Sequence, residues 1–124
     1  MAASVLIAVV DDDDFAREAI AGLVRALGHE AREFTCAADL LTSRDLPGIG
    51  CLITDMRMPG FTGLELHRHL VAAGLGVPTL LVTAYPSEAT RLQALAAGVR
   101  AYLPKPIEAL QLIELFRRIE GRED

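Results

Sequence analysis

The chain has 124 residues, 52% of them hydrophobic and 23% charged, with a formal net charge of -5 at pH 7. This length and composition fit one globular domain over residues 1–124 with a short polar tail at 121–124, and the negative charge argues against direct nucleic-acid binding. No apolar run approaches the roughly 20 residues that a membrane helix needs, and the first residues lack a basic signal region, so we expect a cytoplasmic protein without membrane contact.

Five strand-like runs alternate with helical patterns along the chain. The predicted strands cover 5–10, 30–34, 50–54, 79–83 and 99–103. The predicted helices lie at about 16–27, 37–41, 64–70, 87–97 and 107–119, with Asp13 or Asp14 as the first cap and Gly28 as the first stop. Residues 5–10 are apolar throughout, which is typical of a strand buried on both faces, whereas 30–34 is more polar and fits a sheet edge.

The alternation of strands and helices predicts right-handed crossovers and a parallel sheet covered by helices on both faces, which is a doubly wound α/β fold. If the strand order is flavodoxin-like, 2-1-3-4-5, rather than the dinucleotide-binding order, strands one and three are neighbours about 5 Å apart. Asp11 and Asp55 follow these two strands and would then nearly touch. Thr83 would lie on the other side of Asp55, and Lys105, about 10 Å away after strand five, could reach back.

Three carboxylates at one sheet edge predict a cation. Asp11, Asp12 and Asp55 would repel one another, and a hard divalent ion with oxygen ligands is the usual remedy, so Mg²⁺ is the natural candidate. Because Mg²⁺ keeps several waters and uses few carboxylates, the site suits a phosphoryl group better than a closed metal cage. One aspartate can then act as a nucleophile toward phosphorus, while Lys105 offsets charge and Thr83 donates a hydrogen bond to a phosphoryl oxygen.

The motifs at these strand ends, taken in order, resemble the receiver domains of two-component response regulators, and among these the FixJ type, over essentially the full length 1–124. They are Val9-Val10-Asp11-Asp12-Asp13, Thr54-Asp55-Met56-Arg57-Met58-Pro59-Gly60 followed by Thr62-Gly63, Thr83-Ala84, Ala97-Gly98 and Lys105-Pro106. Each motif alone is weak, whereas their order and spacing together are specific. The resemblance implies a CheY-like sheet of order 2-1-3-4-5 with five helices, and a function in signal transduction by phosphorylation.

The resemblance also implies a role for each acid. Asp55 is the expected phosphoacceptor. Asp11 and Asp12, together with Asp55 and the backbone carbonyl of Arg57, are the expected ligands of Mg²⁺, with Mn²⁺ as an alternative. We expect Asp13 and Asp14 to be helix caps rather than ligands.

Groups on the neighbouring strand ends are expected to hold the phosphoryl oxygens. By the resemblance these are the side chains of Thr83 and Lys105 and the backbone amides near Met56 and Ala84. A cis peptide bond before Pro106 would aim the lysine inward, and such an isomer is accessible mainly before proline.

Three further residues are expected to act around the phosphorylated site. Thr83 would move toward the acyl phosphate and leave space into which the Tyr102 ring rotates, which changes the surface of helix four, strand five and helix five. Tyr102 has a second interpretation, as a partly buried core aromatic with its hydroxyl in water. Arg57 and Tyr85 flank the crevice and are expected to tune the lifetime of the acyl phosphate, with Tyr85 obstructing the attacking water.

Other residues are expected to be structural. Pro104 removes a backbone donor from strand five, so the strand either ends early or has its last residue at a sheet edge. Cys36 and Cys51 are expected to be unpaired core thiols. The three histidines lie off the strand ends and are expected on the surface or in loops: His29, His67 and His69.

The expected phosphodonor is a sensor histidine kinase or a histidine phosphotransfer protein, and the expected reader is a downstream protein partner or an output domain. The chain would assist its own phosphorylation and dephosphorylation without turning over a separate substrate, as a monomer or a weak phosphorylation-dependent dimer. No residues remain for an output domain after helix five. The chain is therefore either a stand-alone receiver, which we favour, or a piece of a longer regulator.

Three rival interpretations come from other functional classes. A small phosphatase with an aspartate nucleophile, of the haloacid-dehalogenase type, would want a second acid two residues after the nucleophile, where this chain has Arg57. A phosphorylation-independent interaction module would not need the full set of acid, threonine and lysine. A flavodoxin-like cofactor binder would need a Ser/Thr/Gly-rich phosphate loop after strand one, where four acids stand instead.

Overall fold

The computed structural model describes residues 4–121, in which parallel strands alternate with helices. The strands are β1 (Leu6–Val10), β2 (Glu30–Phe34), β3 (Cys51–Asp55), β4 (Thr79–Thr83) and β5 (Ala101–Pro104). The helices are α1 (Asp14–Ala26), α2 (Ala37–Leu41), α3 (Gly63–Ala72), α4 (Glu88–Ala96) and α5 (Ala109–Gly121). A short 3-10 turn, Leu46–Gly48, precedes β3 and was not predicted.

The sheet order is β2-β1-β3-β4-β5, which confirms the predicted doubly wound, flavodoxin-like fold. Side chains of β1 alternate between two cores. Ile7 and Val9 pack with residues of α1 and α5 on one face, whereas Ala8 and Val10 pack with residues of α2 and α3 on the other. Ala94 of α4 contributes to a smaller third cluster on the second face. Helices therefore cover both faces of the sheet.

The position of each strand in the sheet follows its sequence. All residues of β3 and β4 are buried, as continuous apolar strands between two neighbours should be. The more polar β2 lies at one edge, as predicted, and β5 lies at the other. Pro104 is the last residue of β5 and therefore lies on an edge strand, where a missing backbone donor is tolerated.

Several predicted boundaries were wrong by one or two residues. The Val99 amide donates to Ala94 O, which makes Val99 the end of a capping motif after α4, so β5 begins at Ala101 rather than at residue 99. Asp55 pairs with Val82 and so belongs to β3. Helix α5 begins at Ala109 and includes Gly121, and the remainder of the predicted polar tail, 122–124, lies outside the described residues.

The prediction for the histidines was wrong for His67, which is buried on α3. Its Nδ1 lies 2.9 Å from Thr79 Oγ1, and its Nε2 lies 2.9 Å from Ala97 O. Since a carbonyl oxygen only accepts, Nε2 carries a hydrogen and donates it to Ala97. His67 thus connects α3 to the start of β4 and to the end of α4.

The other two histidines differ from each other. His69 is exposed, as predicted. His29 is only half-buried in the turn before β2, where its Nδ1 accepts a hydrogen bond of 3.1 Å from the Val5 amide and its ring meets the edge of Phe116.

Both cysteines are unpaired, as predicted. Cys51 is buried in β3, and burial raises the pKa of its thiol to about 12, so this thiol stays protonated. Cys36 is only half-buried and precedes α2. Within residues 4–121, no helix combines the length and apolarity that a membrane span would require.

Replacing His67 with leucine should lower the free energy of unfolding by about 2 kcal/mol, because Thr79 Oγ1 loses a buried partner and the part-buried Ala97 O loses its donor. The matched control is His69→Leu on the exposed face of the same helix, which should change it by less than about 0.5 kcal/mol. Urea unfolding of both variants measures the difference. Equal stability of the two variants would contradict the connecting role of His67.

Candidate functional site

The carboxyl ends of four parallel strands bring one acidic and basic cluster together at a single edge of the sheet. The Lys105 ammonium, just after β5, lies 2.8 Å from Asp11 Oδ2 and 3.1 Å from Asp55 Oδ1. Carboxylate oxygens of Asp11, Asp12 and Asp55 all lie within 4.8 Å of one another. Thr83 ends β4, beside β3, and is buried. The proximity predicted from strand order is therefore present for Asp11, Asp55 and Lys105, and Thr83 ends the strand next to that of Asp55.

Asp11 is held by its local backbone. Its amide donates to Phe34 O at 3.1 Å, which extends the pairing of β1 with β2. Its Oδ1 accepts from the Asp13 amide at 3.0 Å. Asp13 in turn caps α1 by accepting from two amides of the first turn, as predicted, and Asp14 is the first residue of that helix. The loop after β1 thus presents Asp11 buried and Asp12 exposed.

Asp55 is buried at the end of β3 by the close approach of α3. A Cβ atom at Gly63 would collide with Asp55 O and would lie 2.7 Å from Leu81 Cδ2. The Gly63 amide donates to Met56 O at 2.9 Å, so the first turn of α3 is bonded to the residue that follows the acid. Only glycine allows this approach.

The charges in the cluster are unbalanced. Burial is the largest influence on Asp55, and together with the nearby charges of Asp11 and Asp12 it raises the pKa of Asp55 despite the contact with Lys105. Burial by itself would lower the pKa of Lys105, but hydrogen bonds and charge attraction from Asp11 and Asp55 outweigh it and raise that pKa. Lys105 therefore stays charged, and three carboxylates face one ammonium.

The oxygen atoms of this cluster fit a hard divalent cation. Within residues 4–121, Asp11 Oδ2 is a buried oxygen with no hydrogen bond of acceptable geometry, and its contact with Lys105 is an ion pair. The three acids supply oxygen ligands without histidine or cysteine, which is the set that Mg²⁺ prefers over zinc-like metals. The acidic cluster is thus able to hold a metal ion.

Two predicted phosphoryl-binding amides differ in their surroundings. The Met56 amide donates to Val82 O at 2.9 Å and continues the ladder of β3 with β4, so a phosphoryl oxygen would have to displace this bond. Ala84 follows Thr83 and is exposed at the mouth of the crevice. The Lys105–Pro106 peptide bond is cis, as expected.

The residues predicted to flank the crevice contact each other. The Arg57 guanidinium carbon lies 5.7 Å from the centre of the Tyr85 ring, a cation–π contact that the sequence did not predict. Tyr85 is 71% exposed, whereas its amide donates to Thr83 Oγ1 at 3.0 Å. Thr83 is therefore bonded to the loop that carries Tyr85.

Tyr102 is half-buried against the third core cluster. Its hydroxyl accepts a hydrogen bond of 3.1 Å from the amide of Ser87, the residue that caps α4. The interpretation of Tyr102 as a partly buried core aromatic with its hydroxyl in water was thus incomplete, because that hydroxyl also accepts a hydrogen bond at the start of α4.

Sequence reasoning missed Arg17, a buried arginine whose Nη1 donates to Asp11 O at 3.0 Å. A signal was present in the spacing. Arg17 stands three, four and seven residues before Ile20, Ala21 and Val24, which are the other buried residues of α1. A charged residue on the buried face of a helix requires hydrogen-bond or ion-pair partners. Its position just after the acidic loop could have indicated a contact with the candidate site.

Comparison with known proteins gives one consistent result. The family described as the response regulator receiver domain matches residues 7–117. The transcriptional regulatory protein FixJ of Azorhizobium caulinodans is 34% identical over 122 residues, which are 98% of this chain and 58% of that protein. The chain spans about half the length of the curated relatives it matches.

Solved structures agree with the sequence relatives. The crystal structure of FixJ-N superimposes with a TM-score of 0.83 at 27% identity and covers 96% of this chain and 95% of that one. A low-resolution structure of the response regulator StyR gives a TM-score of 0.84 at 37% identity, covering 97% of this chain and 61% of that one. Because the family match includes the whole site from Asp11 to Lys105, the chain belongs to the response regulator receiver domain family, which acts in phosphorylation-based two-component signal transduction.

Proposed function

We propose that Asp55 accepts a phosphoryl group from a sensor histidine kinase or a histidine phosphotransfer protein. The observation that supports this most directly is the Lys105 ammonium, which contacts both Asp11 and Asp55 beside the buried Thr83. An ammonium held 3.1 Å from Asp55 is placed to stabilise negative charge on a group transferred to that carboxylate. The domain over 1–124 would then act as a phosphorylation switch and not as an enzyme with a separate substrate.

The transfer step needs Asp55 in its ionised form. An Asp55 oxygen attacks phosphorus, and the new O–P bond forms while the P–N bond to the donor histidine breaks. The electron pair of the broken bond stays with the departing imidazole. Lys105 moves its contact from Asp55 Oδ1 to a phosphoryl oxygen, and the Thr83 hydroxyl donates to another. Water attack on the same phosphorus would later return the free carboxylate.

Asp11 and Asp12, with Asp55 and the carbonyl of Arg57, would hold Mg²⁺, or Mn²⁺ in its place. The ion would supply the positive charge that the cluster lacks and offset charge on the phosphoryl group. The protein residues keep the ligand oxygens close together before the ion arrives, since those of the three acids already lie within 4.8 Å of each other. The Ala84 amide would complete the phosphoryl contacts, whereas the Met56 amide would first have to leave Val82 O.

The switch would begin at Thr83. Movement of Thr83 toward the acyl phosphate would pull on the Tyr85 amide that is bonded to its Oγ1, and would vacate space for the ring of Tyr102. Rotation of Tyr102 would release the Ser87 amide at the start of α4. The surface of α4, β5 and α5 would change and be read by a downstream protein partner or an output domain.

The proposal extends to the output, the location and the oligomeric state of the protein. The relatives include a transcriptional regulatory protein of which this chain covers 58%, which supports an output domain as the reader. We propose a cytoplasmic protein that is a monomer or a weak phosphorylation-dependent dimer, and whose own contribution to dephosphorylation is slow.

Incubation with acetyl phosphate and Mg²⁺ should add one labile phosphate to the intact protein, measured by mass spectrometry. Asp55→Asn and omission of Mg²⁺ should each abolish the adduct, because one removes the nucleophile and the other the charge compensation. Asp39→Asn, an exposed acid on α2, is the matched control and should keep it. A protein that binds Mg²⁺ but forms no adduct would instead be a phosphorylation-independent interaction module.

Without metal, Asp55→Asn should raise the free energy of unfolding at pH 7. The raised pKa of Asp55 means that its ionised form is disfavoured in the folded state. The contribution of Asp55 to the free energy of unfolding is therefore most favourable below the unfolded-state pKa near 4. This contribution is lost as the pH rises through the raised pKa of the folded state. The gain from asparagine should therefore be largest at neutral pH and shrink toward pH 4. Urea unfolding across this range measures it, and a gain that grows on acidification would refute the argument.

Tyr85→Ala should shorten the lifetime of the acyl phosphate several-fold, because the ring held by Arg57 shields one side of the crevice from water. Tyr85→Phe keeps the ring and should keep the lifetime. The decay of the phosphorylated protein, followed by mass after removal of the donor, compares the variants. An alanine variant that loses phosphate no faster would show that the ring does not shield the site.

A further inference from the structure

Arg17 is a buried cation in the first turns of α1, immediately after the acidic loop. Its side chain is 10% exposed. Its guanidinium makes two hydrogen bonds and one ion pair: Nη1 donates to Asp11 O at 3.0 Å, Nε donates to Glu33 Oε1 at 3.2 Å, and Nη1 lies 2.8 Å from Asp14 Oδ1. A buried arginine with all its contacts in one small region is expected to fix the geometry of that region.

The contact with Asp11 O completes the restraint of a single residue. The Asp11 amide is bonded to Phe34 O, and its carbonyl is bonded to Arg17, so the peptide groups on both sides of this residue are held. Its Oδ1 is held by the Asp13 amide. Only Oδ2, the oxygen that faces Lys105, has no hydrogen bond of acceptable geometry within residues 4–121. The restraints thus aim one oxygen into the crevice.

The position of Arg17 depends in turn on Glu33 of β2. Glu33 Oε1 accepts from Arg17, and its Oε2 accepts from Arg25 Nη1 at 3.3 Å. Glu33 stands opposite Val9 in the pairing of β2 with β1. Glu33 of the edge strand β2 therefore holds Arg17 in place, and Arg17 in turn holds the carbonyl of Asp11.

We propose that Arg17 is a positioning residue that holds the loop carrying Asp11 and Asp12 in the geometry needed for a divalent cation, an inference that rests on the proposed metal role of these acids. Electrostatic repulsion alone would act in the opposite direction, because a positive charge near a cation site weakens binding. Removal of Arg17 should therefore tighten Mg²⁺ binding if only its charge matters, and weaken it if its contacts position the loop. The sign of the change separates the two.

The experiment measures the Mg²⁺ affinity of Arg17→Met and Arg25→Met by titration calorimetry. Both variants remove one positive charge from α1 and one partner of Glu33, but only Arg17 touches Asp11. Arg17→Met should weaken Mg²⁺ binding about tenfold, which corresponds to about 1.4 kcal/mol. Arg25→Met should leave the affinity within twofold or tighten it slightly.

Arg17→Lys serves as a second variant, should the methionine variant fail to fold. Lysine keeps the charge but cannot reproduce both guanidinium hydrogen bonds, so the Mg²⁺ affinity of this variant should also fall. Wild-type affinity in Arg17→Lys, or unchanged or tighter binding in Arg17→Met, would overturn the proposal.

Amide hydrogen exchange in metal-free protein distinguishes this inference from the proposed function. The Asp13 amide, which is bonded to Asp11 Oδ1, should exchange faster in Arg17→Met than in Arg25→Met. If wild-type protein bound no Mg²⁺, the proposed metal role would fail, while faster exchange at Asp13 would still support the hold on the loop. Equal exchange in the two variants would reject it.

Discussion

The contact of one ammonium with two buried carboxylates is the interaction on which the site depends. Lys105 reaches from the end of an edge strand to Asp11 and Asp55, which follow the two central strands β1 and β3. Without it, two like charges would be buried side by side, which is costly in a region that water enters poorly. With it, the acids remain close together but are still incompletely compensated. The folded protein is thereby prepared for a positively charged ligand, because adding one relieves a repulsion that the fold itself imposes.

The fold supports this arrangement through every strand of the sheet, including the one without a reactive group. Asp11, Asp55, Thr83 and Lys105 each stand at the carboxyl end of a different strand, so the site exists only when β1, β3, β4 and β5 are paired in register. Strand β2 contributes indirectly, since Phe34 O accepts from the Asp11 amide. The formation of the site therefore depends on the folding of the whole sheet. A change in strand register would move these side chains apart and not only weaken their contacts.

Most of the fold and the composition of the site could be predicted from the sequence, because apolar runs and the groups that follow them are local and parallel strand ends meet at one edge. Two of the failures named next depend on contacts between distant elements, and one depends on a local helix cap. His67 is polar and was expected on the surface, yet it is buried, because Thr79 Oγ1 and the carbonyl oxygen at the end of α4 are its hydrogen-bond partners. Val99 is β-branched, which is typical of a strand residue, but its amide donates a hydrogen bond to Ala94 O and so caps α4. The contact of Arg57 with Tyr85 joins two loops, and the spacing of residues in the sequence does not show how close these loops lie in space.

The glycine at the start of α3 makes the surroundings of Asp55 mechanically unequal. On one side, Gly63 packs on the Asp55 backbone, a reciprocal capping box joins Thr62 to Glu65, and His67 anchors the same helix further along. On the other side, all residues of the segment 84–89 are exposed, and the segment is held by hydrogen bonds from the Tyr85 and Ser87 amides and by the contact of the Tyr85 ring with Arg57. A displacement that begins at Asp55 would therefore meet close packing toward α3 and an exposed segment toward α4. The proposed shape change would therefore be directed toward α4, because Gly63, which lacks a Cβ atom, allows the close packing on the side of α3.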